Sequence, residues 1–186
     1  MQSSALEPRY IQSLRHPKIG GFKLVSPQDE LDERIYREVV TNGCSILSFA
    51  SCPTAPEFTY SVGLFLNFLH PEILVMGLHP STAHRLITKL RDEAAQGASV
   101  TSDSVRHDLF DDHRPVRFRA VSQERYLDYL GRNCNFYFSL FGKGSGLHDF
   151  GFPVLQVIWP DPDGHYPEDV GCDARFSALH TLTVQP

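Results

Sequence analysis

Residues 58–64 read Phe-Thr-Tyr-Ser-Val-Gly-Leu, so that Phe58, Tyr60, Val62 and Leu64 alternate with Thr59, Ser61 and Gly63. Period two is the mark of extended chain, because successive side chains on a strand point to opposite faces of a sheet. The apolar run 44–50 precedes it, and the connection 51–57 carries Pro53 and Pro56. Two strands joined this way predict an antiparallel hairpin. A helical turn over 65–69 and a third strand over 72–78, rich in Ile, Leu, Val and Met, extend the same sheet.

Three helices are expected around it. Ser26 caps the first, with Pro27 at the opening helical position and Asp29 at a capping-box-like spacing. Leu31, Ile35 and Val39 recur every four residues, and Asn42-Gly43 stops the helix. Ser81 caps a second, whose inner face is Leu86, Ile87, Leu90 and Ala94 and whose stop is Gly97. Ser122 opens a third, containing Tyr126, Leu127 and Leu130. Further strands are expected at 116–121, where Val116, Phe118 and Ala120 alternate with Arg117 and Arg119, and at 153–159. Residues 98–110 hold a short strand and a polar loop, the run 136–141 fits either helix or strand, and the tail 176–184 reads as an edge strand. Together these elements predict an α+β fold: a mostly antiparallel or mixed sheet with about three helices packed on it. Residues 1–25 form an arm, and 26–186 a single globular domain.

At 186 residues the chain buries about two-thirds of its unfolded surface on folding, so its core suffices without disulfides or metal. Lys plus Arg number 17 against 22 Asp plus Glu, a net charge of −5. That balance reads against nucleic-acid binding through a general basic surface. No uncharged apolar run reaches the about 18 residues of a membrane span, and the first residues lack the apolar core of a signal peptide. Cys44, Cys52, Cys134 and Cys172 show no CxxC spacing. These features lead to the expectation of a cytoplasmic protein bound to no membrane, its cysteines acting as small buried hydrophobes.

Two groups of polar residues invite a functional reading. On the alternating strand, Tyr60 shares a face with Phe58 and Val62, while Ser61 and Gly63 point the other way. Glycine there lets another chain or a ligand approach closely. His70 and Glu72 lie on the return connection, so imidazole, carboxylate and the Ser61 hydroxyl can meet near one sheet end. Nucleophile, base and orienting acid are the parts that acyl or phosphoryl chemistry uses. The same residues also suit structural work, with Gly63 as a bulge, His70 capping a turn and Glu72 solvated. Ser61 lacks the G-x-S-x-G elbow of the α/β-hydrolases. In the second group, Gln156 falls in line with Val154 and Ile158, and a buried amide must be hydrogen-bonded. Trp159 offers a stacking wall or a core ring, and Asp161 in PDPDG a ligand contact or a turn.

Other motifs are weaker. The histidines and acids of HDLFDDH (107–113) match no standard metal-site spacing, so no metal is expected, and no cofactor. GKGSG (142–146) lacks the Lys-Ser/Thr ending of a P-loop and reads as a connector. Arg114, Arg117 and Arg119 form a local basic stripe that suits an anionic ligand or a solvated strand face.

Three segments in this order, FTYSVGLFLNFLHPEILVMGL (58–78), the helix ending at Gly97, and VLQVIWPDPDGHYPEDVG (154–171), resemble the bacterial family known as domain of unknown function 4262. Its members look like P-x-F-x-Y-T/S-V-G-L, then H-P-E-L, then L-Q-x-V-W-P-D-x-x-G-x-F-P-W. Glu168 stands where that pattern has tryptophan. The resemblance groups the chain with a fold and implies no reaction. Two functional classes remain open. One is a cytosolic module in a stress or conflict response that binds a small molecule or a partner protein, with Tyr60, Gly63, Gln156, Trp159 and Asp161 as contacts. The other is a small hydrolase or transferase in which His70, Glu72 and Ser61 are catalytic. The oligomeric state is left open.

Overall fold

The structure, a computed structural model, describes residues 7–10, 12, 26–53, 55–102, 104–141 and 151–179. Six strands form one mixed sheet: β1 (Ser45–Phe49), β2 (Phe58–Val62), β3 (Glu72–Met76), β4 (Val105–Arg106), β5 (Val116–Ala120) and β6 (Val154–Ile158). Their order is β1-β2-β3-β6-β5-β4, with β3 and β6 parallel and every other pair antiparallel. The β1–β2 hairpin pairs Phe49 with Phe58 and Leu47 with Tyr60, as the alternation of apolar residues requires.

Among the described residues, six helices rather than three surround the sheet: α1 (Glu30–Asn42), α2 (Leu64–Phe68), α3 (Pro80–Ala94), α4 (Tyr126–Tyr129), α5 (Gly131–Phe141) and α6 (Ala174–Leu179). One sheet face carries Tyr60, Val62, Leu74, Met76 and Val154, packed against Ile35 and Val39 of α1, Tyr126 of α4, and Cys134 and Tyr137 of α5. The other carries Ile73, Val75, Phe118, Leu155 and Val157, packed against Ala83, Leu86, Ile87 and Leu90 of α3. With both faces covered, β3 and β6 are buried at every position, which is why, apart from Glu72 and Gln156, their residues are all apolar.

Several boundaries differ from the sequence expectation for identifiable reasons. Helix α1 starts at Glu30, because the Asp29 carboxylate rather than Ser26 caps it, accepting the Asp32 amide at 2.8 Å. Helix α3 starts at Pro80, and the His79 ring rather than Ser81 accepts an orphan amide. The third expected helix begins as a 3-10 turn over Gln123–Arg125. The ambiguous run 136–141 is the second half of α5. The tail is helical over Ala174–Leu179 instead of an edge strand; its continuation, like GKGSG and most of the arm, lies outside the described residues. From the arm, Tyr10 donates its amide to Asn67 Oδ1 at 2.9 Å. The four cysteines form no disulfide.

Candidate functional site

The β2–β3 ladder pairs Phe58 with Met76, Thr59 with Val75 and Tyr60 with Leu74, and there it stops. Past that point side chains take over from backbone. Ser61 Oγ accepts the Ile73 amide at 2.9 Å and donates to Glu72 Oε2 at 2.5 Å. Glu72 Oε1 accepts the amides of Gly63 at 2.8 Å and Phe65 at 3.1 Å, the orphan donors where α2 begins. The Tyr137 hydroxyl, from α5, also donates to Oε1 and in turn accepts the Leu66 amide at 3.2 Å. One helical turn earlier, Asn133 Nδ2 donates to the Ser61 carbonyl at 2.8 Å. Four donors on one carboxylate match the acceptor-only pattern of an ionised acid. Burial pushes the Glu72 carboxyl above its ordinary value, and the hydroxyl and amide donors pull it back.

His70 is oriented elsewhere. Its Nδ1 donates to the Pro71 carbonyl at 2.7 Å and its Nε2 accepts the Val100 amide at 3.4 Å, which describes the neutral ring. Burial holds its pKa below the ordinary value. Leu69, at φ 56°, sets the chain direction entering the histidine. Ser61 and Glu72 have no exposed surface, and His70 is 1% exposed. Gly63 does admit a close neighbour: at φ +105°, a Cβ on it would stand 2.8 Å from Val39 Cγ2. The approaching group is α1.

The remaining candidates are dispersed. Gln156 pairs with Leu74 across the parallel strands and donates Nε2 to the Leu179 carbonyl at 2.8 Å, tying down α6. Trp159 packs edge-on against Phe176, with centroids 4.7 Å apart. Asp161 organises its own loop, with Oδ1 accepting the amides of Asp163 and His165 and Oδ2 that of Asp173. Asp161, Asp163 and His165 bring three metal-ligand atoms within 4.8 Å, but these amides already occupy the Asp161 oxygens.

Tyr60 is different, because it lines an open cleft of about 460 Å³ together with Phe49, Phe58, Tyr129, Arg132 and Asn135. Phe49 and Phe58 stack across the hairpin at 4.9 Å, Phe49 and Tyr60 at 5.5 Å, and Tyr129 meets Phe58 edge-on at 5.6 Å. Arg132 is engaged by Asp29 and Asp32, each at 2.9 Å, and Asp128 by Arg125 at 3.3 Å. The charges around the cleft are thus balanced internally. Phe49, Tyr129 and Arg132 were not visible as site residues in the sequence, since rings on a hairpin and after a 3-10 turn share no motif. Tyr137 and Asn133 were missed likewise; their spacing of four on an apolar segment was the available signal.

No helix among the described residues is long and apolar enough to cross a membrane. No curated protein and no solved structure matches the chain. The model of the family described as domain of unknown function 4262 matches residues 38–173, well over half the chain and spanning the β2–β3 cluster, the cleft and the Asp161 loop; the protein belongs to that family.

Proposed function

We propose that this protein is a non-catalytic, cytosolic binding module whose cleft between the β1–β2 hairpin and the α4–α5 junction takes a flat, uncharged, largely apolar group of a small molecule. The observation that carries this reading is a separation. The groups able to do acid–base or nucleophilic chemistry are sealed, whereas the open cleft is walled by rings. A substrate carbonyl or phosphoryl group must come within hydrogen-bond reach of nucleophile and base, and Ser61, His70 and Glu72 offer no surface for it. The cleft volume falls within the about 300–1,000 Å³ of organic-ligand pockets. Stacked rings supply apolar contact, and because Arg132 is engaged by two aspartates, a neutral ligand suits the cleft better than an anion.

The test is a thermal-shift screen of the full chain against neutral aromatic heterocycles. A stabilising compound is expected whose effect disappears in Tyr129→Ala and Phe49→Ala and persists in His70→Gln. A compound that binds equally well to both ring variants, or that the protein converts to product, contradicts the reading.

A further inference from the structure

The basic stripe splits in the structure. Arg114 turns away to pair with Asp112. Arg117 and Arg119, two residues apart on β5, converge on a single atom, Glu168 Oε1, at 2.8 and 2.9 Å. Two guanidinium groups aimed at one oxygen form a doubly cationic fork, for which a lone carboxylate is an incomplete partner. Among the described residues Glu168 is the acid that ion-pairs with either arginine, so the fork keeps one positive charge.

The fork is built, not merely exposed. The Arg117 guanidinium lies 3.6 Å from the centroid of the Tyr166 ring. That ring is buried, and its hydroxyl donates to the Pro115 carbonyl at 2.9 Å. An aromatic face holds a cation in place without neutralising it. Beside the fork is a cavity of about 190 Å³ lined by Ser102, Ser104, Val105, Arg117 and Arg119. It is smaller than the about 300 Å³ at which organic-ligand pockets begin, so it suits a head group rather than a whole cofactor. Hydroxyls on one side and two guanidinium groups on the other are the donors that phosphoryl oxygens accept from.

We propose that Arg117 and Arg119, with Ser102 and Ser104, bind the phosphoryl group of a small phosphate monoester, and that Glu168 is an internal plug which the ligand displaces. This site is separate from the aromatic cleft and goes beyond the function proposed for it. Glu168 belongs to a turn, is exposed, and stands outside the strand that positions the arginines, so it can leave while the fork stays in place.

The full chain is titrated with inorganic phosphate and with methyl phosphate, sodium chloride keeping ionic strength constant. Amide proton–nitrogen spectra follow Ser104, Arg117 and Arg119. Saturable shifts at these residues are expected from both probes. Glu168→Gln removes the competing charge and tightens binding roughly tenfold. Arg119→Gln abolishes the shifts while the melting temperature holds; should that variant unfold, Arg119→Lys, which keeps the charge and loses the fork, weakens binding. Absence of saturation with both probes in wild type and Glu168→Gln overturns the site. So do shifts insensitive to Arg119, and affinity unchanged in Glu168→Gln overturns the plug.

Discussion

The Tyr137 hydroxyl of α5 donates to Glu72 Oε1 at the start of β3, across 65 residues of sequence. Through that bond the carboxylate joins three elements: the end of β2 through Ser61, the first turn of α2 through Gly63 and Phe65, and α5 itself. Glu72 fastens a helix over a sheet whose ladder has run out.

Tyr137→Phe keeps the ring and its stacking on Phe152, and removes one donor to Glu72 and the acceptor of the Leu66 amide. A buried group left without its partner costs about 1–3 kcal/mol. Urea unfolding at pH 7 should show a loss of that size, with an unchanged m-value.

A second consequence concerns pH. The native state holds the Glu72 proton more tightly than an unfolded chain with a carboxyl near 4.5, because the buried carboxylate is desolvated. Stability from this group is therefore fully present below 4.5 and lost as pH rises through the folded pKa. Wild type and Glu72→Gln share every other titrating group, so the difference between their unfolding free energies isolates it. From pH 4 to pH 8 that difference should move against the wild type. A wild type that gains on the variant with rising pH contradicts the assignment.

Gly63 is a position where backbone geometry leaves little room. A side chain there meets Val39, which is stiff at its branched carbon, at a φ of +105°. Strain and overpacking together should make Gly63→Ala cost about 2–4 kcal/mol, measured by the same unfolding experiment. A loss below about 0.5 kcal/mol, the usual size of a surface change, would show that α1 yields instead.

Much of the sheet was legible because periodicity is local. Alternation over Phe58–Val62 identifies a strand, and a return connection of fewer than ten residues brings Ser61 beside Glu72. The spacing of α3 reveals its buried face for the same reason. His70 was not legible: two residues from Glu72, it reaches instead toward Val100, a partner 30 residues away. Tyr137 was hidden by its own segment, where apolar residues broken only by Ser139 over 136–141 show no period and leave helix and strand equally open until tertiary packing selects one. The stripe at 114–119 was visible as composition, but its division between Asp112 and Glu168 depends on a turn some 50 residues later.

We propose that the Ser61–Glu72 pair works as a structural clasp and not as a nucleophile with its acid. This is tested most directly by incubating the folded protein with a fluorophosphonate, which labels activated serine hydroxyls, and mapping adducts by mass spectrometry. Because Ser61 is wholly buried and its hydroxyl proton is given to Glu72, no adduct is expected at Ser61 in the native protein. An adduct at Ser61 that forms under native conditions and vanishes in Glu72→Gln or His70→Gln would contradict it.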